Sequence, residues 1–212
     1  VKTRLIGDLT AAEAAALHAA FLDDLLDRLQ DGDFELTLAW ALDPDDPIPE
    51  GAWPGVPGIR QEGEDLGERL YRALSGVQAD SVMALGSDHP TVPLAVIHRA
   101  FEAVERGAPI AIGPAEDGGY YLIALRSGAV HRRLFEEIDW STDRVLPQTL
   151  ERCRELGLLP EDIELLPLDT DVDTPDDLRR LAARMAGGDL GCPRTRGLLR
   201  TWQRLPVEGT TT

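Results

Sequence analysis

Apolar and polar positions alternate with two distinct periods along this chain, and they predict helices and strands in turn. Phe21, Leu22, Leu25, Leu26 and Leu29 repeat at helical spacing, and Thr10-Ala-Ala-Glu13 ahead of them has the form of a capping box, so a helix runs from Thr10 to about Leu29. Phe34 to Leu42 is mostly apolar and rich in β-favouring residues, which predicts a buried strand. Asp43 to Gly63 is crowded with Pro, Gly and acids and reads as a long loop. Leu66, Leu70, Ala73, Leu74 and Val77 mark a second helix, Ser81 to Gly86 a short strand, and Pro93 to Arg106 a third helix. Pro109 to Gly113 and Tyr120 to Leu125 are two more strands. A helical region follows from Val130 to Gly157, interrupted near Trp140, then a strand from Ile163 to Leu168 and a helix from Pro175 to about Met185. From Gly187 the tail is expected to be loop-rich with a short helix near Leu198 to Arg204, and Val207 to Thr212 to be disordered.

Strands that alternate with helices predict an α/β domain with a largely parallel sheet, in which chemistry gathers in loops after the carboxyl ends of strands. At 212 residues and 43% hydrophobic content, one sizeable domain with a buried core is expected. A formal net charge of −17 argues against nucleic acid and anionic membrane as partners. Lys2 is the single lysine among 21 basic residues. Cys153 and Cys192 have neither metal spacing nor a disulfide pattern, and no apolar run reaches spanning length, so a cytoplasmic setting is expected.

Three chemically rich segments fall after predicted strands: Gly86-Ser-Asp-His-Pro90, Ala115-Glu-Asp-Gly-Gly119 and Asp169-Thr-Asp-Val-Asp173. In an extended segment Asp169, Asp171 and Asp173 share one face, an arrangement suited to a divalent cation with oxygen ligands. The same aspartates also serve as turn and cap residues: Thr174 is placed to cap the next helix, with Pro175 in its first turn and Asp177 three residues past the cap. Asp88 stands between a ligand role and an ordinary turn aspartate, since Pro90 stops the strand behind it. For Asp117-Gly118-Gly119 a tight turn is the stronger reading of the residues alone. Lys2 and Arg4, two residues apart, would point to one side of an extended segment and meet two phosphates, or else belong to a solvated terminus. P-loop, dinucleotide-fingerprint, serine-elbow and zincin patterns are absent.

Taken in order, Lys2-Thr-Arg-Leu5, Gly63-Glu-Asp-Leu-Gly-Glu-Arg-Leu70, Gly86 to Pro90, Gly113 to Leu122, Trp140-Ser-Thr142 and Asp171 to Leu178 resemble a bacterial family of GT-A-like glycosyltransferases. That family was formerly classed as a domain of unknown function, and its members are often labelled arsenosugar biosynthesis glycosyltransferases. It is similar to nucleotidyltransferases of the molybdenum-cofactor and coenzyme F420 pathways and to cytidylyltransferases. The resemblance covers Val1 to about Met185. It implies one GT-A-like domain over residues 1–186, with a mixed, mostly parallel sheet between helices, and an extension over 187–212. It further implies Mg²⁺ or Mn²⁺ held by Asp88 and Asp173, with Asp171 as a companion, and phosphate contacts from Lys2 and Arg4. Gln61, Gly67 and Arg69 fall in the segment that lies near the nucleotide base in relatives, and Asp117, Gly118 and Gly119 match an acceptor-side loop in which Asp117 would be the general base. Family members carry a strand and a Pro/Gly-rich loop ahead of the Lys-Thr-Arg-Leu stretch, so such a segment is expected before Val1. The implied activity is transfer from a nucleotide-sugar to a small acceptor. Nucleotidyl transfer from a nucleoside triphosphate and a non-catalytic nucleotide-binding relative are the alternatives.

Overall fold

The computed structural model describes residues 2–49 and 51–205, and the expected disorder of Val207 to Thr212 lies outside the described residues. The chain divides into two compact units. One holds the residues up to Gly32, Gly86–Leu94 and the chain from Asp169 onward; the other holds Asp33–Leu85 and Ala95–Leu168.

The first unit is built on α1 (Ala11–Leu29). Its capping box is formed as expected: the Thr10 hydroxyl accepts from Glu13 N, and the Glu13 carboxylate accepts from Thr10 N at 2.8 Å. Ala14, Leu17, Phe21 and Leu25 form its buried stripe. Ala14, Leu17 and Phe21 of that stripe pack with Leu5 and Leu9, with Leu178, Leu181 and Met185 of α5 (Pro175–Gly187), and with Leu199 of α6 (Pro193–Thr201). The short helix expected near Leu198 to Arg204 is present as α6, which begins earlier, at Pro193, and takes up part of the stretch expected to be loop. As far as Leu205 the residues after Gly187 belong to this unit, because α6 buries Leu199 and is capped from outside its own sequence. Asp24, buried within α1, accepts from Arg194 N at 3.0 Å and from Thr195 N at 2.8 Å, satisfying two free amides at the start of α6 with a negative charge.

The second unit holds two sheets and nearly all of α3 (Leu94–Glu105). β1 (Leu38–Trp40) and β2 (Gly58–Arg60) pair in parallel. The buried strand expected over Phe34 to Leu42 is thus only three residues of ladder, and partly exposed. Its partner explains this: Pro54 and Pro57 ahead of β2 remove donors, and Leu38 N is left to pair with the Pro57 carbonyl at 2.9 Å. The other sheet has the order β3-β5-β4-β6, from Ser81–Leu85, Tyr120–Arg126, Ile110–Pro114 and Ile163–Leu165. It is mixed, as expected, but parallel pairing does not dominate. β5 runs antiparallel to both neighbours, because the short Ala115–Gly119 turn sends the chain straight back beside β4; only β4 and β6 pair in parallel. Ile110, Ile112, Ile123 and Leu125 of this sheet bury against Leu74 of α2 (Leu66–Ser75), Leu134 and Phe135 of a 3-10 turn, and Cys153 of α4 (Val145–Glu155). Burial pushes the Cys153 thiol up to about 11, so it packs as a neutral apolar group.

Gly118 shows how tightly the β4–β5 turn is held. Its φ is +87°, and a Cβ there would lie 2.4 Å from the Asp143 carbonyl oxygen, while its own carbonyl accepts from Leu146 N at 2.9 Å. Gly118→Ala is expected to cost about 2–3 kcal/mol from the left-handed backbone and the backbone clash together, read as a lowered denaturant midpoint at unchanged slope. A midpoint equal to that of the parent protein would show that the Asp143 segment yields freely.

Candidate functional site

Lys2 lies at the centre of a charged cluster in the first unit. Its backbone is left-handed, with φ 53° and ψ 39°, and it precedes a 3-10 turn over Thr3–Leu5 closed by Leu5 N to Lys2 O at 3.0 Å. The extended geometry expected for Lys2 and Arg4 is therefore not what forms; Leu5 is wholly buried, and the turn is what brings it into the core. The two cations nevertheless reach one carboxylate. Lys2 Nζ is 2.8 Å from Asp173 Oδ1, and Arg4 Nη1 is 3.6 Å from Asp173 Oδ2. Lys2 Nζ also lies 2.7 Å from Asp88 Oδ1, so one ammonium bridges two carboxylates that are 85 positions apart in sequence. The Lys2 side chain is 2% exposed and its ammonium sits 5.8 Å from the Phe21 ring centroid, whereas Asp88 and Asp173 are 41% and 29% exposed. A buried ammonium is tolerated because both its carboxylates are in contact with it.

Each aspartate is positioned by its own element. Asp88 sits in the Gly86–Leu94 segment, three residues beyond β3, where its carbonyl accepts from Val172 N at 3.1 Å. Asp173 precedes α5. The strand expected over Ile163 to Leu168 ends at Leu165, and no ladder runs through residues 170–173, yet Asp171 and Asp173 lie half-buried on either side of the buried Val172. Asp169 does not join Asp173: its Oδ2 lies 3.0 Å from Nδ1 of the buried His89.

Asp177 keeps to the capping role expected of it. It accepts from Thr174 N and Thr174 Oγ1, each at 2.7 Å, and from Asp173 N at 3.2 Å, and it pairs with Arg180 at 2.5 Å. Burial pushes its carboxyl upward, but the Thr174 hydroxyl, Arg180 and the two amides outweigh that and hold it below its ordinary 3.8. Because the folded value is the lower one, the stabilisation is complete above 3.8 and is lost as pH falls through the folded value. Asp177→Asn is expected to lose about 1–2 kcal/mol at pH 7 and progressively less toward pH 3, checked by urea denaturation at both pH values. A loss independent of pH would place the effect elsewhere.

His18 and Ser87 complete the cluster and were not singled out by sequence reasoning. His18 Nε2 is 3.1 Å from Ser87 Oγ and 3.6 Å from Asp88 Oδ1. Desolvation pulls the imidazole below its ordinary range, against the pull of Asp88 and with the help of Lys2, so it is neutral at pH 7. The available signal was its place on α1, beside the buried Leu17 and one turn from the buried Ala14 and Phe21.

The remaining expected residues belong to the second unit and are engaged locally. Asp117 Oδ1 accepts from Gly119 N at 2.9 Å, the turn geometry read from the residues alone. Gln61 Nε2 donates to Ala39 O at 2.8 Å and its amide to Trp40 O at 2.8 Å, tying β2 to β1. A Cβ on Gly67 would lie 2.2 Å from Phe135 O, and Arg69 Nε donates to Gly63 O at 3.1 Å.

Two carboxylate oxygens aimed at one point fit the chemistry of Mg²⁺ or Mn²⁺, which are bound through one or two protein carboxylates with phosphate oxygens and water completing the shell. Among the described residues no group of three or more His, Cys, Asp and Glu side chains is arranged to enclose a metal. No helix among the described residues is long and apolar enough to cross a membrane.

The α/β architecture is that of nucleotide-diphospho-sugar transferases and cytidylyltransferases. The chain belongs to a bacterial family described as an uncharacterized protein conserved in bacteria (DUF2064), which matches residues 22–142. The matched stretch contains Asp88 and the Asp117 turn but neither Lys2 nor Asp173. A candidate nucleotide-diphospho-sugar transferase from Desulfovibrio desulfuricans G20 is 33% identical with a TM-score of 0.88, over 96% of this chain and 89% of its own. Two more distant structures share the fold. CMP:2-keto-3-deoxy-manno-octonic acid synthetase complexed with CTP is 15% identical, with a TM-score of 0.53 over 79% of this chain and 88% of its own. The 2-C-methyl-D-erythritol 4-phosphate cytidylyltransferase from Thermus thermophilus is 16% identical, with a TM-score of 0.51 over 85% and 88%. No curated protein matches the chain.

Proposed function

We propose that this protein is a metal-assisted transferase that uses a nucleotide-sugar donor and passes the sugar to a small acceptor. The observation that carries the reading is the convergence of Asp88 and Asp173 on one cationic point, 2.7 and 2.8 Å away, with Arg4 at its edge. Asp88 and Asp173 would hold Mg²⁺ or Mn²⁺ against the donor's diphosphate, with Asp171 as a third candidate ligand. The ion supplies Lewis-acid neutralisation of the leaving diphosphate. Lys2 and Arg4 would give charge-assisted hydrogen bonds to phosphate oxygens, Arg4 from its exposed position and Lys2 from its buried one. His18, through its hydrogen bond with Ser87 Oγ, would help hold the segment that carries Asp88. The relative that is 33% identical, described as a candidate nucleotide-diphospho-sugar transferase, supports the choice of donor.

The test is a thermal-shift panel of nucleoside diphosphates, nucleoside triphosphates and nucleotide-sugars, each with and without Mn²⁺. Nucleotide-sugars are expected to stabilise the protein in a Mn²⁺-dependent way. Stronger stabilisation by a triphosphate would move the reading to nucleotidyl transfer, and no metal-dependent shift with any nucleotide would sink it.

A further inference from the structure

We infer that Lys2 is the resident counter-ion of the Asp88–Asp173 pair and excludes a divalent cation until a diphosphate draws its ammonium away, so that cation and diphosphate load together. The inference rests on the reading of Asp88 and Asp173 as cation ligands, and adds an order of binding to it. Its basis is a conflict of space. The ammonium nitrogen stands 2.7 Å from Asp88 Oδ1 and 2.8 Å from Asp173 Oδ1. A divalent cation bound by the same two oxygens at about 2.1 Å would need that same volume. The ammonium is not a loosely held rival, since its side chain is 2% exposed and packed against Phe21.

Expelling Lys2 toward solvent alone would strip a buried charge of both partners, so the cation must displace it at a cost. An arriving diphosphate changes the balance, because it offers the ammonium new anionic oxygens while adding its own to the cation's shell. The flexible four-carbon stem of lysine permits such a shift of its head group, where the rigid fork of an arginine would not. The partly exposed faces of Asp88 and Asp173 and the exposed Arg4 leave the outer side of the cluster open to the incoming anion. By linkage, the diphosphate then raises cation affinity as much as the cation raises that of the diphosphate.

Because Lys2 is the only lysine, protein labelled with ¹⁵N-lysine reports on this one ammonium. The expected spectrum is unchanged by Mg²⁺ alone and shifts when Mg²⁺ and inorganic pyrophosphate are added together. In parallel, free Mn²⁺ measured by electron paramagnetic resonance is expected to show Lys2→Met binding Mn²⁺ alone at least about tenfold more tightly than the parent chain, with Lys2→Arg remaining as weak as the parent. Equal Mn²⁺ affinity of parent and Lys2→Met, or a lysine signal that moves with Mg²⁺ alone, would overturn the exclusion while leaving the cation site standing. Absence of Mn²⁺ binding in both proteins, with and without pyrophosphate, would remove the cation site itself and the inference with it. Should Lys2→Met fail to fold, the lysine spectrum of the parent chain decides.

Discussion

Asp173→Asn is expected to leave the fold standing and to lower metal-dependent transfer by about a thousandfold, the equivalent of roughly 4 kcal/mol of lost charge stabilisation. The amide keeps the shape of the carboxylate and still accepts from Lys2 Nζ through its oxygen, now 2.8 Å away, while the start of α5 is held by Asp177 and is untouched. What is lost is one of two negative charges aimed at the cation, and with it the anchor of Arg4. Titration calorimetry with Mn²⁺ and a nucleoside diphosphate gives the binding half of the test, and turnover of the nucleotide-sugar that best stabilises the protein gives the other. Asp171→Asn serves as the comparison, since Asp171 lies across the buried Val172 from Asp173, and a milder effect is expected there. Unchanged metal-dependent binding in Asp173→Asn, or a larger loss in Asp171→Asn, would move the ligand assignment off Asp173.

Residue pattern alone made some of this molecule legible and hid the rest for physical reasons. α1 and the start of α5 were readable because their caps are local: a hydroxyl, an acid three residues on and a helical apolar stripe all lie within one stretch of chain. The β4–β5 turn was readable from Asp117-Gly118-Gly119 for the same reason, although the antiparallel run it imposes was not carried through to the sheet as a whole. β1 is shorter than its apolar run suggests because strand length depends on the partner, and the partner is a proline-bounded stretch of a loop. The aspartates of the cluster are legible as candidates from their alternation and their place after strands, and the family resemblance singles out Asp88 and Asp173 among them. That a lysine ammonium stands between them is not, since the contact between Lys2 and Asp173 spans 171 positions and leaves no local trace. The start of α6 at Pro193 is hidden on the same ground: its first amides are held by Asp24, a buried acid of α1 some 170 positions away.

Arg28 has the same long-range character, and its removal is expected to cost the most stability of any single substitution considered. Its guanidinium donates to the carbonyls of Pro90 at 2.7 Å, Val92 at 3.1 Å, Leu190 at 3.2 Å and Gly191 at 2.9 Å, and reaches Cys192 Sγ at 3.3 Å. One side chain of α1 thus ties the segment that carries Asp88 to the turn that leads into α6, entirely within the first unit. Arg28→Ala takes this donor from all four carbonyls and leaves Pro90 and Leu190 with only the weak Cys192 thiol, and a loss of about 3–5 kcal/mol is expected, since each orphaned buried group costs about 1–3 kcal/mol before relaxation. For a chain of this length that corresponds to a melting temperature lower by roughly 10 °C. Arg28→Lys keeps the charge but cannot span carbonyls on both sides, so it is expected to recover less than about half of the loss. The substitution also has a functional reading, because Pro90 lies two residues from Asp88 and a loosened segment no longer holds that carboxylate against Lys2. Mn²⁺ affinity measured in the presence of pyrophosphate, under conditions where Arg28→Ala is still folded, should therefore fall along with stability. An Arg28→Ala protein that melts within about 2 °C of the parent would mean that water replaces the guanidinium at little cost and that the Asp88 segment is held by His89 and Val172 instead.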